Sequence, residues 1–134
     1  MRKMIIFCDG CEKKADITDA SIQWRPVQAH GPNGYHSADA CSSECEPKAH
    51  AFACAVRDHV LTKNVIHEKF MSKMAAANEE MKEANAATDP EDKEAHQAAH
   101  DARAMVVAKA QQEHDEELLR AAVEFKSKTG REPS

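Results

Sequence analysis

Four of the five cysteines in this 134-residue chain fall in two close pairs, Cys8 with Cys11 and Cys41 with Cys45. The first pair has the form C-x2-C and the second C-x3-C, with twenty-nine residues between them. A close pair on a tight turn presents two sulfurs to one ion, and two such pairs complete a tetrahedron. The spacing therefore predicts that the two ends of the opening segment are drawn together around a metal. Disulfides would require an oxidising compartment, and paired cysteines elsewhere favour metal ligation. Four thiolates close a site against water and substrate, so the expected role is structural.

The rest of the chain could not build a thick core without such help. Aromatic residues are 4% of the sequence and charged residues 31%. Alanine is abundant beyond position 46. The segment before it holds three of the four glycines, the only Trp and the only Tyr, a composition of short strands and turns. Ile22 and Trp24 alternate with polar neighbours, which predicts one short strand there, followed by a turn at "HGPNGYH".

Beyond Pro47 there is little punctuation before Pro90. At "AATDPEDKEA" either Thr88 and Glu91 form a capping box, or Asp89 caps with Pro90 at the first helical position. Both readings start a helix at that point. Residues 46–87 and 90–128 are then two helices of nearly equal length joined by a short connection, which implies an antiparallel hairpin. The second helix has a plausible end at Gly130, with Lys126 and Lys128 in its last turn. Apolar residues recur at helical spacing in both, among them Phe52, Val60, Phe70 and Ala77 in the first and Val106, Ala110, Leu118 and Phe125 in the second. Folding about position 88 pairs Phe52 with Phe125, Val60 with Leu118, and Phe70 with Val106 or Val107. The predicted class is α+β, mainly α. It divides into a metal-binding domain over 1–50, a two-helix arm over 51–128 and a flexible tail over 129–134. The arm's seam is thin in large side chains, so its stability is expected to draw on a second copy or another protein.

The order of a C-x2-C knuckle, an intervening hairpin, then Cys41-Ser42-Ser43-Glu44-Cys45 leading into a helix resembles a treble-clef zinc finger. Within that group it is most similar to the TRASH and MYM type. The resemblance covers about the first 50 residues. It implies structural Zn2+ with Cys8, Cys11, Cys41 and Cys45 as ligands, although Ala40 stands where the type has an aromatic residue. His36, and the pair His50 and Cys54 at i, i+4 on the first helix, are alternative ligands; Cys54 reads more simply as a small buried residue. His96 and His100 share the same spacing on the second helix, with no third ligand in prospect.

Charge and motifs narrow the function. The net charge of −5 divides as five Lys/Arg against six Asp/Glu over residues 1–45 and thirteen against seventeen over 46–134, so neither part is basic. Zinc on four thiolates adds a charge near −2, which further disfavours phosphate. Nucleic-acid binding is thus the lesser expectation, resting on Arg2, Lys3, Lys13, Lys14 and Arg25 with Trp24 for stacking. Metal or redox sensing, as in some TRASH-like fingers, is a third. No Gly-rich phosphate loop, H-E-x-x-H or nucleophile elbow occurs, and the chain reads as non-catalytic. No run of 18 or more apolar residues occurs either, so no membrane partner and a cytoplasmic location are expected. The leading reading is a zinc-headed module whose hairpin docks on a protein, with Asp89, Glu91 and Asp92 as an acidic tip. In architecture this is similar to RNA-polymerase secondary-channel regulators of the DksA and TraR kind, with the finger placed before the helices instead of after them.

Overall fold

The computed structural model describes residues 5–16, 18, 21–32 and 34–133. Two small antiparallel hairpins precede two long helices. The first hairpin joins β1 (Ile5–Phe7) to β2 (Lys14–Asp16), with Ile6 opposite Ala15. The second joins β3 (Arg25–Gly31) to β4 (Gly34–Ala40), with Gly31 opposite Gly34 at its turn. Helix α1 then runs Glu46–Ala86 and α2 Lys93–Thr129. The class is α+β, mainly helical, as the sequence predicts. No helix among the described residues is long and apolar enough to cross a membrane.

The strand expected around Ile22 and Trp24 lies further on, from Arg25. Pro26 falls within this strand, although proline cannot donate to a ladder. In a two-stranded sheet every strand is an edge, and the missing donor costs nothing. Gly34 takes a φ of 115°, which its lack of a side chain permits as the chain leaves the turn. The β1 and β2 pair escaped sequence reading because three-residue strands leave too little pattern.

The chain divides into two compact units, Met1–Leu61 with Ala122–Ser134, and Thr62–Ala121. In the first, the core is Ala29, Ala38 and Ala40 of β3 and β4 against Ala49 and Ala53 of α1, bordered by Val27, Phe52 and Cys54. Alanines let sheet and helix backbones approach closely, yet each contributes far less than the roughly 1.5–3 kcal/mol of a large buried side chain. Phe52 meets Phe125 with ring centroids 6.1 Å apart, the pairing that the helical spacing predicts, and His59 lies tilted against Phe125 at 5.0 Å. The last turn of α2 closes on Gly130, whose φ is 72° and whose N–H donates to Lys126 O at 2.7 Å.

In the second unit the buried residues are Ile66, Ala77, Ala110 and Ala121. Lys69 reaches Glu117 at 2.8 Å and Lys73 pairs with Glu113, one turn on along α1 and one turn back along α2, so the helices run antiparallel here. Phe70 meets His114 at 4.9 Å, about two turns along α2 from the Val106 or Val107 expected opposite it. The reason lies in the connection. Asn78 with Arg103 and Asn85 with His96 are each equidistant from the Pro90–Glu91 bond, so the hairpin folds beyond position 88. Neither expected cap starts α2. Asp89 and Pro90 form a turn, closed by Asp92 N donating to Asp89 O at 2.9 Å, and Asp92 is the N-cap, its Oδ1 accepting from Ala95 N at 3.1 Å. Thr88 instead donates its hydroxyl to Ala84 O at 2.6 Å.

Candidate metal centre

The sequence places Cys8 at the end of β1 and Cys11 three residues on, in the turn that leads to β2. That turn is a knuckle in which Cys8 N donates to Lys13 O at 2.7 Å and Glu12 N to Cys8 O at 2.9 Å. Glu12 holds a φ of 63°, left-handed backbone that a non-glycine residue rarely occupies. Cys41 follows directly on β4, and Cys45 stands one residue before α1, its carbonyl accepting from Ala49 N at 2.9 Å. Strand end and helix start thus carry the second pair.

All four sulfurs lie within 4.8 Å of one another. Cys11 Sγ is 3.5 Å from Cys41 Sγ, and Cys41 Sγ is 3.8 Å from Cys45 Sγ. Thiolates at about 2.3 Å from a tetrahedral ion sit about 3.8 Å from each other. The residues present fit one metal ion, and no carboxylate or histidine is needed to complete the set. Among the described residues this is the only group of three or more potential ligands so gathered. His36 is half-buried on β4 opposite Ala29, outside the cluster. His50 keeps company with Cys54, its ring nitrogens 3.8 and 3.9 Å from that sulfur, and Cys54 itself borders the alanine core.

Backbone amides tune the sulfurs unequally. Cys8 is wholly buried and accepts from Gly10 N at 3.4 Å and Cys41 N at 3.3 Å. Burial opposes ionisation of its thiol, but the amides of Cys11, Cys41 and Gly10 outweigh it and lower the pKa to about 6. Cys41 is pushed up to about 12, first by its hydrogen bond with Cys11 and then by burial. The amides thus favour the anion at Cys8, and the neighbouring thiols disfavour it at Cys41.

Gly10 is what allows the knuckle to close on α1. A Cβ there would stand 2.7 Å from Cys45 Cβ and 2.8 Å from Cys45 O, closer than atoms approach. Asp9 ties the knuckle to β4, donating its N–H to Asp39 O at 2.8 Å and accepting Asp39 N on Oδ2 at 2.8 Å. Burial, and then the neighbouring Asp9 carboxylate, raise the pKa of Asp39. Arg131 completes the arrangement from the far end of the chain. It donates Nη1 to Asp9 Oδ1 at 2.9 Å and Nη2 to Asp9 O at 3.1 Å. Its guanidinium lies 4.1 Å from the Phe52 ring centre and 4.9 Å from that of Phe7. Nothing in the local sequence marks Arg131 for this role, since its partner is 122 residues away. Gly10 carried a readable signal as the glycine inside C-x2-C. Beside Cys11 runs a groove of about 690 Å3 lined by Phe52, Cys54, Lys48, Asp58, Lys128 and Arg131 among others.

A phosphate-binding patch would draw on Arg2, Lys3, Lys13, Lys14 and Arg25. Arg2 and Lys3 lie outside the described residues. Arg25 pairs with Glu46 at 3.0 Å, and Lys14 stands over the Phe7 ring at 5.9 Å. Trp24 is half-buried with its indole N–H enclosed and without a hydrogen-bond partner, which leaves it poorly presented for stacking on a base.

At the hairpin turn Asp89, Glu91 and Asp92 are exposed, as an acidic tip requires. Two of the three carboxylates also have internal work: Asp89 Oδ1 accepts from Glu91 N at 3.0 Å, and Asp92 caps α2. His96 bridges Asn85 Oδ1 at 2.8 Å and Asp89 O at 3.0 Å, while His100 is exposed. His96 therefore holds the turn, and its nitrogens are occupied. Protein-family models, curated proteins and solved structures were compared with the chain, and none matches it.

Proposed function

We propose that the chain is a non-catalytic, zinc-binding interaction module, in which a structural four-thiolate site stabilises a treble-clef head of the TRASH and MYM type that carries a helical hairpin for docking on a protein. The observation that carries this reading is the gathering of four sulfurs, from a knuckle and from the start of a helix, within 4.8 Å. Zinc suits the set because it accepts four thiolates tetrahedrally without redox chemistry, and such sites contribute about 10–16 kcal/mol to the folding of small domains. The alanine core of the same unit makes that contribution necessary. When bound, the ion would supply a fixed crosslink; Cys8, Cys11, Cys41 and Cys45 would hold it, and the amides on Cys8 would offset its negative charge.

Docking through the hairpin is supported by its surface. In the second unit Val65, Met71, Met105 and Leu119 are exposed while Ile66 is the single large buried aliphatic. In the tip Glu91 contributes its backbone N–H and carbonyl to the turn while Asp92 caps the helix, so Glu91 is the position at which charge reversal tests partner binding without disturbing a cap. Native mass spectrometry of the purified chain tests the head directly. One zinc per chain, lost together with strand and helix content when a chelator is added, is the expected result. A metal-free chain of equal order would refute the reading.

A further inference from the structure

The outward face of α2 carries a pattern that the hairpin does not use. Ala110 and Ala121 are buried, and Glu113, His114 and Glu117 meet Lys73, Phe70 and Lys69 of α1. Met105, Gln112 and Leu119 follow one another at seven-residue spacing and lie roughly 140–180° around the helix from Ala110. Met105 is 75% exposed and Leu119 67%. The heptad stripe of Met, Gln and Leu, with Ala108 and Asp115 at the intervening positions, leaves two large apolar side chains in line on the exposed side of the helix. It has no mate within its own unit.

The charges beside the stripe say what covers it. An antiparallel copy of α2 centred on Gln112 sets Met105 against Leu119 of the second copy, and by symmetry Leu119 against Met105. On the same flank Lys109 then falls opposite Glu116 of the second copy, giving two opposite-charge pairs related by the twofold axis. A parallel pairing would instead set Lys109 and Glu116 beside Ala104 and Gln111 of the second copy, with no charge pair formed. Gln112 meets itself at the axis, and a polar residue at one seam position fixes register. In the single chain Gln112 Nε2 donates to Glu116 Oε1 at 3.2 Å, a bond that both residues can exchange for partners across the seam.

Resting on the reading of the hairpin as a docking element, we propose that the partner is a second copy of this chain, paired antiparallel through the outward face of α2, with Gln112 on the axis, Met105 against Leu119, and Lys109 against Glu116. The interface is isologous, so one surface serves both copies.

Sedimentation equilibrium of the zinc-loaded chain at micromolar to submillimolar concentration tests this. A dimer is expected, and Met105→Asp or Leu119→Asp should weaken it by roughly tenfold or more with zinc content and helical circular dichroism unchanged. Lys109→Glu should weaken it as well, and adding Glu116→Lys to that variant should restore it. Gln112→Cys in a Cys54→Ser background should form an interchain disulfide. A monomer that keeps its zinc and its helices would overturn the self-pairing and leave the module reading standing. A dimer indifferent to Leu119→Asp, or one in which the charge swap fails to restore, would overturn the face. A chain that never binds zinc would sink the module reading instead.

Discussion

The two compact units solve the same shortage of large side chains by different means. The first, with the cysteines, has an alanine core, and gains its order from groups that are not core at all: four sulfurs, amides aimed at Cys8, and Arg131 between two phenylalanines. The second has Ile66 and three buried alanines, and relies on continuous helix, cross-helix ion pairs and Phe70 against His114. In the first unit energy is concentrated in a few residues, so single changes should be severe. In the second it is spread along the helices, and exposed ion pairs of this kind add little because water screens them.

The sharpest way to break the comparison is at the sulfurs. Cys8→Ser with Cys41→Ser should abolish zinc binding and melt the first unit, a loss on the order of 10 kcal/mol, while most helical signal of the second persists. Circular dichroism melting with metal analysis checks this, and a single transition that leaves no helix would show that the units are not independent.

Acid should act on the same residues. Metal binding displaces protons, so affinity should fall about tenfold per pH unit for each thiol still protonated. Cys8, with its pKa near 6, adds its proton to that competition only as pH falls through about 6, whereas Cys41, raised to about 12, contributes one throughout. In the metal-free chain the signs separate. The lowered pKa of Cys8 gives stability that is complete above its ordinary value of 9.0 and lost as pH falls toward 6. The raised pKa of Cys41 gives stability complete below 9.0 and lost as pH rises toward 12. Chelator-competition titrations from acid to neutral pH read the metal-bound slope.

Smaller effects sharpen the contrast. Gly10→Ala should cost about 1–3 kcal/mol, because the added methyl meets the backbone of Cys45 and one of the two must move. Arg131→Ala should cost about 2 kcal/mol through its two bonds to Asp9 and its stacking, as measured by denaturant unfolding of the zinc-loaded chain. In the second unit, by contrast, Asp92→Ala should cost about 1 kcal/mol, the ordinary loss of an N-cap. A larger loss there would mean that the turn holds more of the hairpin than its contacts indicate.

What the sequence disclosed follows the range of the interactions. Cysteine spacing is a local pattern with one chemical use, and it brought Cys8, Cys11, Cys41 and Cys45 to one point before any coordinates. Gly130 as a terminator and Phe52 opposite Phe125 were legible for the same reason, a short pattern with a single geometric outcome. The partner of Phe70 was not. It depended on whether Thr88, Asp89 or Asp92 starts α2, and three turn-forming candidates within five residues cannot be ranked by propensity alone. Arg131 was invisible because the chain has several cations near its end, and nothing nearby distinguishes the one that reaches Asp9.

That last contact also orders events in time. During synthesis the four thiols emerge well before Arg131, and an ion can be captured once Cys45 is free, whereas the guanidinium that braces Asp9 follows that residue by 122 positions. A ribosome-bound nascent fragment that stops shortly beyond α1's first turns should therefore already sequester zinc, and should hold it more loosely than the finished protein does.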